Sequence, residues 1–162
     1  MVQKINLNLM IKILITVSNK FFLKEIPEAK KIIDNTIKKT LQTINFNNCD
    51  LEISVLITSD NKIKKLNKQY RGINKPTNVL SFPMLRKNKF LKNSSFPISV
   101  GDIAISYETM RREAKKFAIE KETYLKKLII HGALHLFGYD HDTDRKEKIM
   151  VSLEKKVLKL ST

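Results

Sequence analysis

The chain has 162 residues, 42% of them hydrophobic and 29% charged, a globular composition at the length of one domain. Its 31 lysines and arginines against 16 acids leave a formal charge of +15, which points to a polyanionic partner, nucleic acid before membrane. The only cysteine, Cys49, excludes an internal disulfide framework and a cysteine-based zinc site and fits a reducing cytoplasm.

Taken in order, Leu9 to Val17 reads as a first strand. Asn6, Asn8 and Lys12 interrupt the apolar run around it, which is too short to span a membrane and has no clear signal-peptide cleavage site. Pro27 stands where a helix can start, and Ile32, Ile33, Ile37, Leu41 and Ile44 follow at helical spacing. Asn47-Asn48 makes a turn. Leu51, Ile53, Val55 and Ile57 then alternate as a strand. Ser59 or Asp60 can cap the next helix, marked by Ile63, Leu66 and Tyr70 and closed by Arg71-Gly72.

Pro76 and Pro83 bracket a short strand over Asn78 to Phe82, placed near a sheet edge because proline is confined to edges and ends. Arg86 to Ser99 reads as an exposed basic loop, and Val100 to Ser106 as a further strand. Ser106 can cap a helix to about Ile119 with Met110, Ala114 and Phe117 inward. A helix from about Glu122 to Phe137 follows. Asp142-Thr143-Asp144 offers caps for a last helix with Ile149, Met150, Leu153, Val157 and Leu160 as its apolar stripe. The sum is a single α+β domain over 1–162, with a mixed sheet of about four strands, helices packed on it and the penultimate helix central.

That helix carries the chemistry. The three histidines of the chain, His131, His135 and His141, lie within eleven residues. Residues four apart share a helix face, with Cβ atoms about 5–6 Å apart, which suits two imidazoles on one metal ion. Gly138 can end the helix in the left-handed conformation and return His141 to the same ion. Three protein ligands leave a fourth position open, the catalytic pattern for zinc. The surrounding Leu128, Ile129, Ile130, Ala133, Leu134, Leu136 and Phe137 predict a buried helix, where unpartnered imidazoles are costly and a metal compensates them. The spacing is that of the metzincin proteases, but Gly132 stands where their glutamate base would be. That leaves a metzincin-like metalloprotease as one alternative, with Gly132 and the basic charge against it. Asp102, Asp140, Asp142 and Asp144 are the nearby carboxylates for a metal-ligand partner or a base. Tyr70, Phe82 and Tyr139 are aromatics that can stack bases or fill the core.

The stretch His131-Gly-Ala-Leu-His-Leu-Phe-Gly-Tyr-Asp-His141 resembles the signature of the YbeY family of bacterial endoribonucleases, also called rRNA maturation factors. Tyr70-Arg71-Gly72, Lys75 to Pro83 and Gly101-Asp102-Ile103 are similar to the family's other landmarks, in the same order. The resemblance implies a cytoplasmic, single-strand-specific, metal-dependent endoribonuclease that matures the 3′ end of 16S rRNA and serves ribosome quality control. It implies one zinc per chain on His131, His135 and His141, a need for Arg71 in activity, and single-stranded RNA, rRNA precursor and the small ribosomal subunit as partners. Beside it stands the other alternative, a non-catalytic ribosome-assembly factor with structural zinc.

Overall fold

The computed structural model describes residues 10–46, 49–84 and 96–161. In chain order the elements are β1 (Ile11–Val17), α1 (Phe22–Glu25), α2 (Ala29–Thr43), β2 (Leu51–Thr58), α3 (Asp60–Arg71), β3 (Val79–Pro83), β4 (Ile98–Ser106), α4 (Tyr107–Lys116), α5 (Lys121–Leu136) and α6 (Asp144–Leu160). The strands form one mixed sheet in the order β1-β2-β4-β3. β1, β2 and β4 run parallel, and β3 returns antiparallel to β4 at the edge. Its end position suits Pro83, which has no N–H to give to a further strand.

Strand alternation gives the sheet two unlike faces. Ile53, Val55, Ile57, Ile103 and Ile105 point to one side and are buried under α2 and α5. On α2 the inward residues are Ile33, Ile37 and Leu41, and on α5 they are Leu125, Ile129 and Ala133. Each isoleucine buried there contributes about 1.5–3 kcal/mol relative to exposure. α3 crosses the other face, where Ile63 packs with Leu80 and Ala104. α5 touches α2, α4, α6, β3 and β4, so the histidine-bearing helix is the central one.

Helix starts follow the sequence closely. Ser59, Ser106 and Thr143 each accept a backbone N–H, from Lys62, Thr109 and Lys146 respectively. Asp60, the other candidate cap, instead ties α3 to α4 through Ser106, Thr109 and Arg112.

Other expectations shift. β4 begins at Ile98, so Ile98 and Ser99 belong to a strand and not to the basic loop. Most of that loop, the Asn47-Asn48 turn and Leu9 lie outside the described residues. α4 stops at Lys116, and Phe117 is exposed at the bend where Ala118 takes φ 53. Tyr70 and Leu160, at the ends of α3 and α6, are also exposed, as is Ile149, one position round the helix from the buried Met150. α1 was not foreseen; its single turn seats the fully buried Phe22 edge-to-face on Tyr107, with centroids 5.8 Å apart. Among the described residues, no helix is long and apolar enough to cross a membrane.

Candidate metal centre and cleft

His131 and His135 stand one turn apart near the end of α5, and their Nε2 atoms are 3.1 Å apart. The helix then ends in a Schellman turn. Gly138 N–H donates to His135 O at 3.0 Å and Tyr139 N–H to Leu134 O at 3.1 Å, with Gly138 at φ 81. That reversal brings back His141, whose ring centroid lies 5.1 Å from that of His135 and 5.7 Å from that of His131. One ring nitrogen from each of the three lies within 4.8 Å of the others. Two nitrogens bonded to one zinc at about 2.0–2.1 Å sit about 3.4 Å apart at the tetrahedral angle. The 3.1 Å between His131 and His135 Nε2 is close to that spacing, and all three nitrogens lie within 4.8 Å, so the donor set fits a single ion.

The surroundings of two of the imidazoles also suit a metal. His131 Nδ1 lies 2.8 Å from Glu154 Oε1 on α6. A carboxylate there fixes the Nδ1–H tautomer and leaves the Nε2 lone pair facing the centre. Burial, and then the neighbouring imidazoles of His131 and His141, hold His135 below the usual histidine range, which keeps it neutral.

Gly132 explains the missing glutamate. A Cβ there would meet Ile103 Cγ2 at 3.0 Å and Ser81 Oγ at 3.2 Å. Ser81 Oγ also donates to Gly132 O at 3.2 Å. The position faces the sheet and not the metal side, so this backbone has no place for the protease base.

The three histidines line an open cleft of about 450 Å³ together with Arg71, Val79, Ser81 and Asp140. β3 supplies one wall. Arg71 is the last residue of α3, ended by Gly72 at φ 73, and it is exposed, with no carboxylate partner among the described residues. The structure thus brings the three histidines and Arg71 to one cleft.

The aspartates divide. Asp140 lines the cleft, and its Oδ1 accepts the His141 N–H at 2.8 Å. Asp142 pairs with Lys146 at 2.7 Å, and Asp144 sits in the first turn of α6. Asp102 faces away: Ile103 packs on Gly132, so its neighbour points to the opposite side of the sheet, into a groove shared with Tyr70 and Phe82. Those two rings meet edge-to-face at 5.0 Å, outside the histidine cleft, whereas Tyr139 lines it. Glu154, the residue that holds His131, was missed. Its signal is positional: with Met150 and Val157 it occupies one face of α6 at four- and three-residue steps, a carboxylate within the buried stripe.

An α+β domain with a three-histidine cluster, able to hold one metal ion beside an open cleft, is the class these features define. The sequence model of the endoribonuclease YbeY family matches residues 15–161, and the chain belongs to that family. Endoribonuclease YbeY of Bradyrhizobium sp. strain BTAi1 is 42% identical over 132 residues, covering 82% of this chain and 78% of the relative. Endoribonuclease YbeY of Erythrobacter litoralis is 48% identical over 107 residues, covering 64% and 66%. The solution structure of a Thermotoga maritima protein superposes with a TM-score of 0.59 at 29% identity, covering 94% of this chain and 89% of that one.

Proposed function

We propose that this protein is a metal-dependent endoribonuclease of single-stranded RNA, one domain over residues 1–162. In this reading His131, His135 and His141 hold one zinc ion per chain. Its substrate is rRNA precursor on the small ribosomal subunit in the cytoplasm, and its product is the mature 16S 3′ end. One arrangement carries the reading: three imidazole nitrogens within 4.8 Å of one another in a cleft also lined by Arg71, which has no carboxylate partner among the described residues.

When bound, the ion supplies Lewis acidity at the phosphoryl group. The chain's own groups do the rest. Arg71 presents a planar fork that matches a phosphate in a bidentate way, and holds it against the charge that builds during cleavage. Glu154 orients His131, and burial keeps His135 neutral and able to donate its lone pair. Asp140, the carboxylate lining the cleft, is the group able to accept a proton from the attacking hydroxyl or water.

The test combines metal content with cleavage. Elemental analysis of the dialysed protein should give one zinc per chain. Arg71→Ala should keep that zinc and lose cleavage on the order of 10²-fold, as removal of one charge-stabilising donor does elsewhere. Full activity in zinc-loaded Arg71→Ala would refute the phosphate clamp.

A further inference from the structure

A second groove, about 400 Å³, opens between α5 and α6. It shares Val79 and His131 with the histidine cleft but does not include Arg71. It therefore continues the cleft past His131, away from the arginine.

Helical spacing builds it. Lys127, Leu128 and His131 lie on one face of α5, and Val151, Lys155 and Leu158 on one face of α6. The floor is apolar: Val79, Leu128, Val151 and Leu158. Val151 stays 37% exposed, so the floor is open to an occupant. Lys127 and Lys155 stand exposed on the two rims, with no ion pair among the described residues. The carboxylate in the groove, Glu154, is engaged by His131 Nδ1 at 2.8 Å.

An apolar floor between two cations, joined to the cleft that Arg71 and the histidines line, matches a single-stranded polynucleotide. Such a strand offers a flat base for the floor and a phosphate on either side of it. We propose that this groove holds the segment of single-stranded RNA beyond the cleaved phosphate, with a base on Val151 and Leu158 and its phosphates between Lys127 and Lys155. The inference rests on the endoribonuclease reading of the cleft and adds a path to it: from Arg71, across the histidines, into the α5–α6 groove.

The experiment is fluorescence anisotropy of the full protein with a labelled, cleavage-resistant 2′-O-methyl oligonucleotide at a series of salt concentrations. The variants are the double change Lys127→Ala/Lys155→Ala and, separately, Val151→Glu, all at exposed positions. Arg71→Ala serves as the reference. The double variant should bind several-fold more weakly, and its log–log salt slope should be shallower by about 1.4, from about 0.7 per phosphate contact on a single strand. Val151→Glu should also weaken binding, by filling the floor with a like charge. Wild-type affinity and slope in both groove variants, with binding weakened in Arg71→Ala, would overturn the groove and leave the cleft reading standing. A wild-type protein that binds no RNA would overturn both.

Discussion

Glu154→Ala tests how the metal centre is held. Among the described residues the carboxylate has one hydrogen bond, to His131 Nδ1 at 2.8 Å. Removing it frees the His131 ring to turn and to take the other tautomer, which points N–H where the lone pair is needed. Loss of such a partner typically lowers metal affinity about 10–100-fold. The lower end applies here, because the His131 and Glu154 side chains are 33% and 30% exposed and water can replace part of the bond. The expectation is a zinc affinity about tenfold weaker, about 1.4 kcal/mol. Glu154→Gln keeps an acceptor oxygen and should lose only about threefold, since a neutral acceptor gives roughly half the bond strength of a charged one. Competition against a chromophoric chelator reads both values. Thermal melting of the metal-free proteins checks the fold. Equal zinc affinity in wild type and Glu154→Ala, with both folded, would refute the orienting role.

Other consequences follow from the same geometry. Gly138→Ala forces a side chain into φ 81 and should cost about 1–2 kcal/mol in urea denaturation; because the turn carries His141, zinc affinity should fall with it. Asp60→Asn should cost about 2 kcal/mol at neutral pH, since charge-assisted bonds from Thr109 at 2.6 Å and Arg112 at 2.8 Å converge on that carboxylate. Burial raises the Asp60 pKa, but the bonds from Ser106, Thr109 and Arg112 outweigh it and hold the group below the usual aspartate range. The carboxylate's contribution is therefore complete above the ordinary aspartate pKa and is lost as pH falls through the lowered value. The gap between wild type and Asp60→Asn should close in acid; a gap that stays constant to the lowest pH would contradict this.

The centre was legible in the sequence because its geometry is local. His131 and His135 are fixed by helical spacing, and His141 by the Gly138 turn, so eleven residues determine the cluster. Arg71 is different. Nothing about a helix-end arginine shows that α3, β3 and α5 meet at one cleft; only the resemblance pointed there, and the fold brings it in. Glu154 required knowing that α6 lies along α5, a tertiary fact that a stripe alone does not give. Among the aspartates, proximity in sequence left the ligand partner or base open. Asp102 lies beside landmark residues, yet strand alternation turns it to the far face, while Asp142 goes to a neighbouring lysine. The misassigned apolar positions Phe117 and Leu160 lie at helix ends, where periodicity marks a face but not how far its cover extends; Ile149 lies beside the buried Met150, at the margin of the face.

The central claim is that the histidine cluster performs RNA cleavage. Its most direct test is cleavage of a single-stranded RNA by purified, zinc-loaded protein beside a His135→Ala variant that melts at a similar temperature. The account predicts internal cleavage by the wild type and its loss in the variant. Equal cleavage by both would place the chemistry elsewhere and contradict the account.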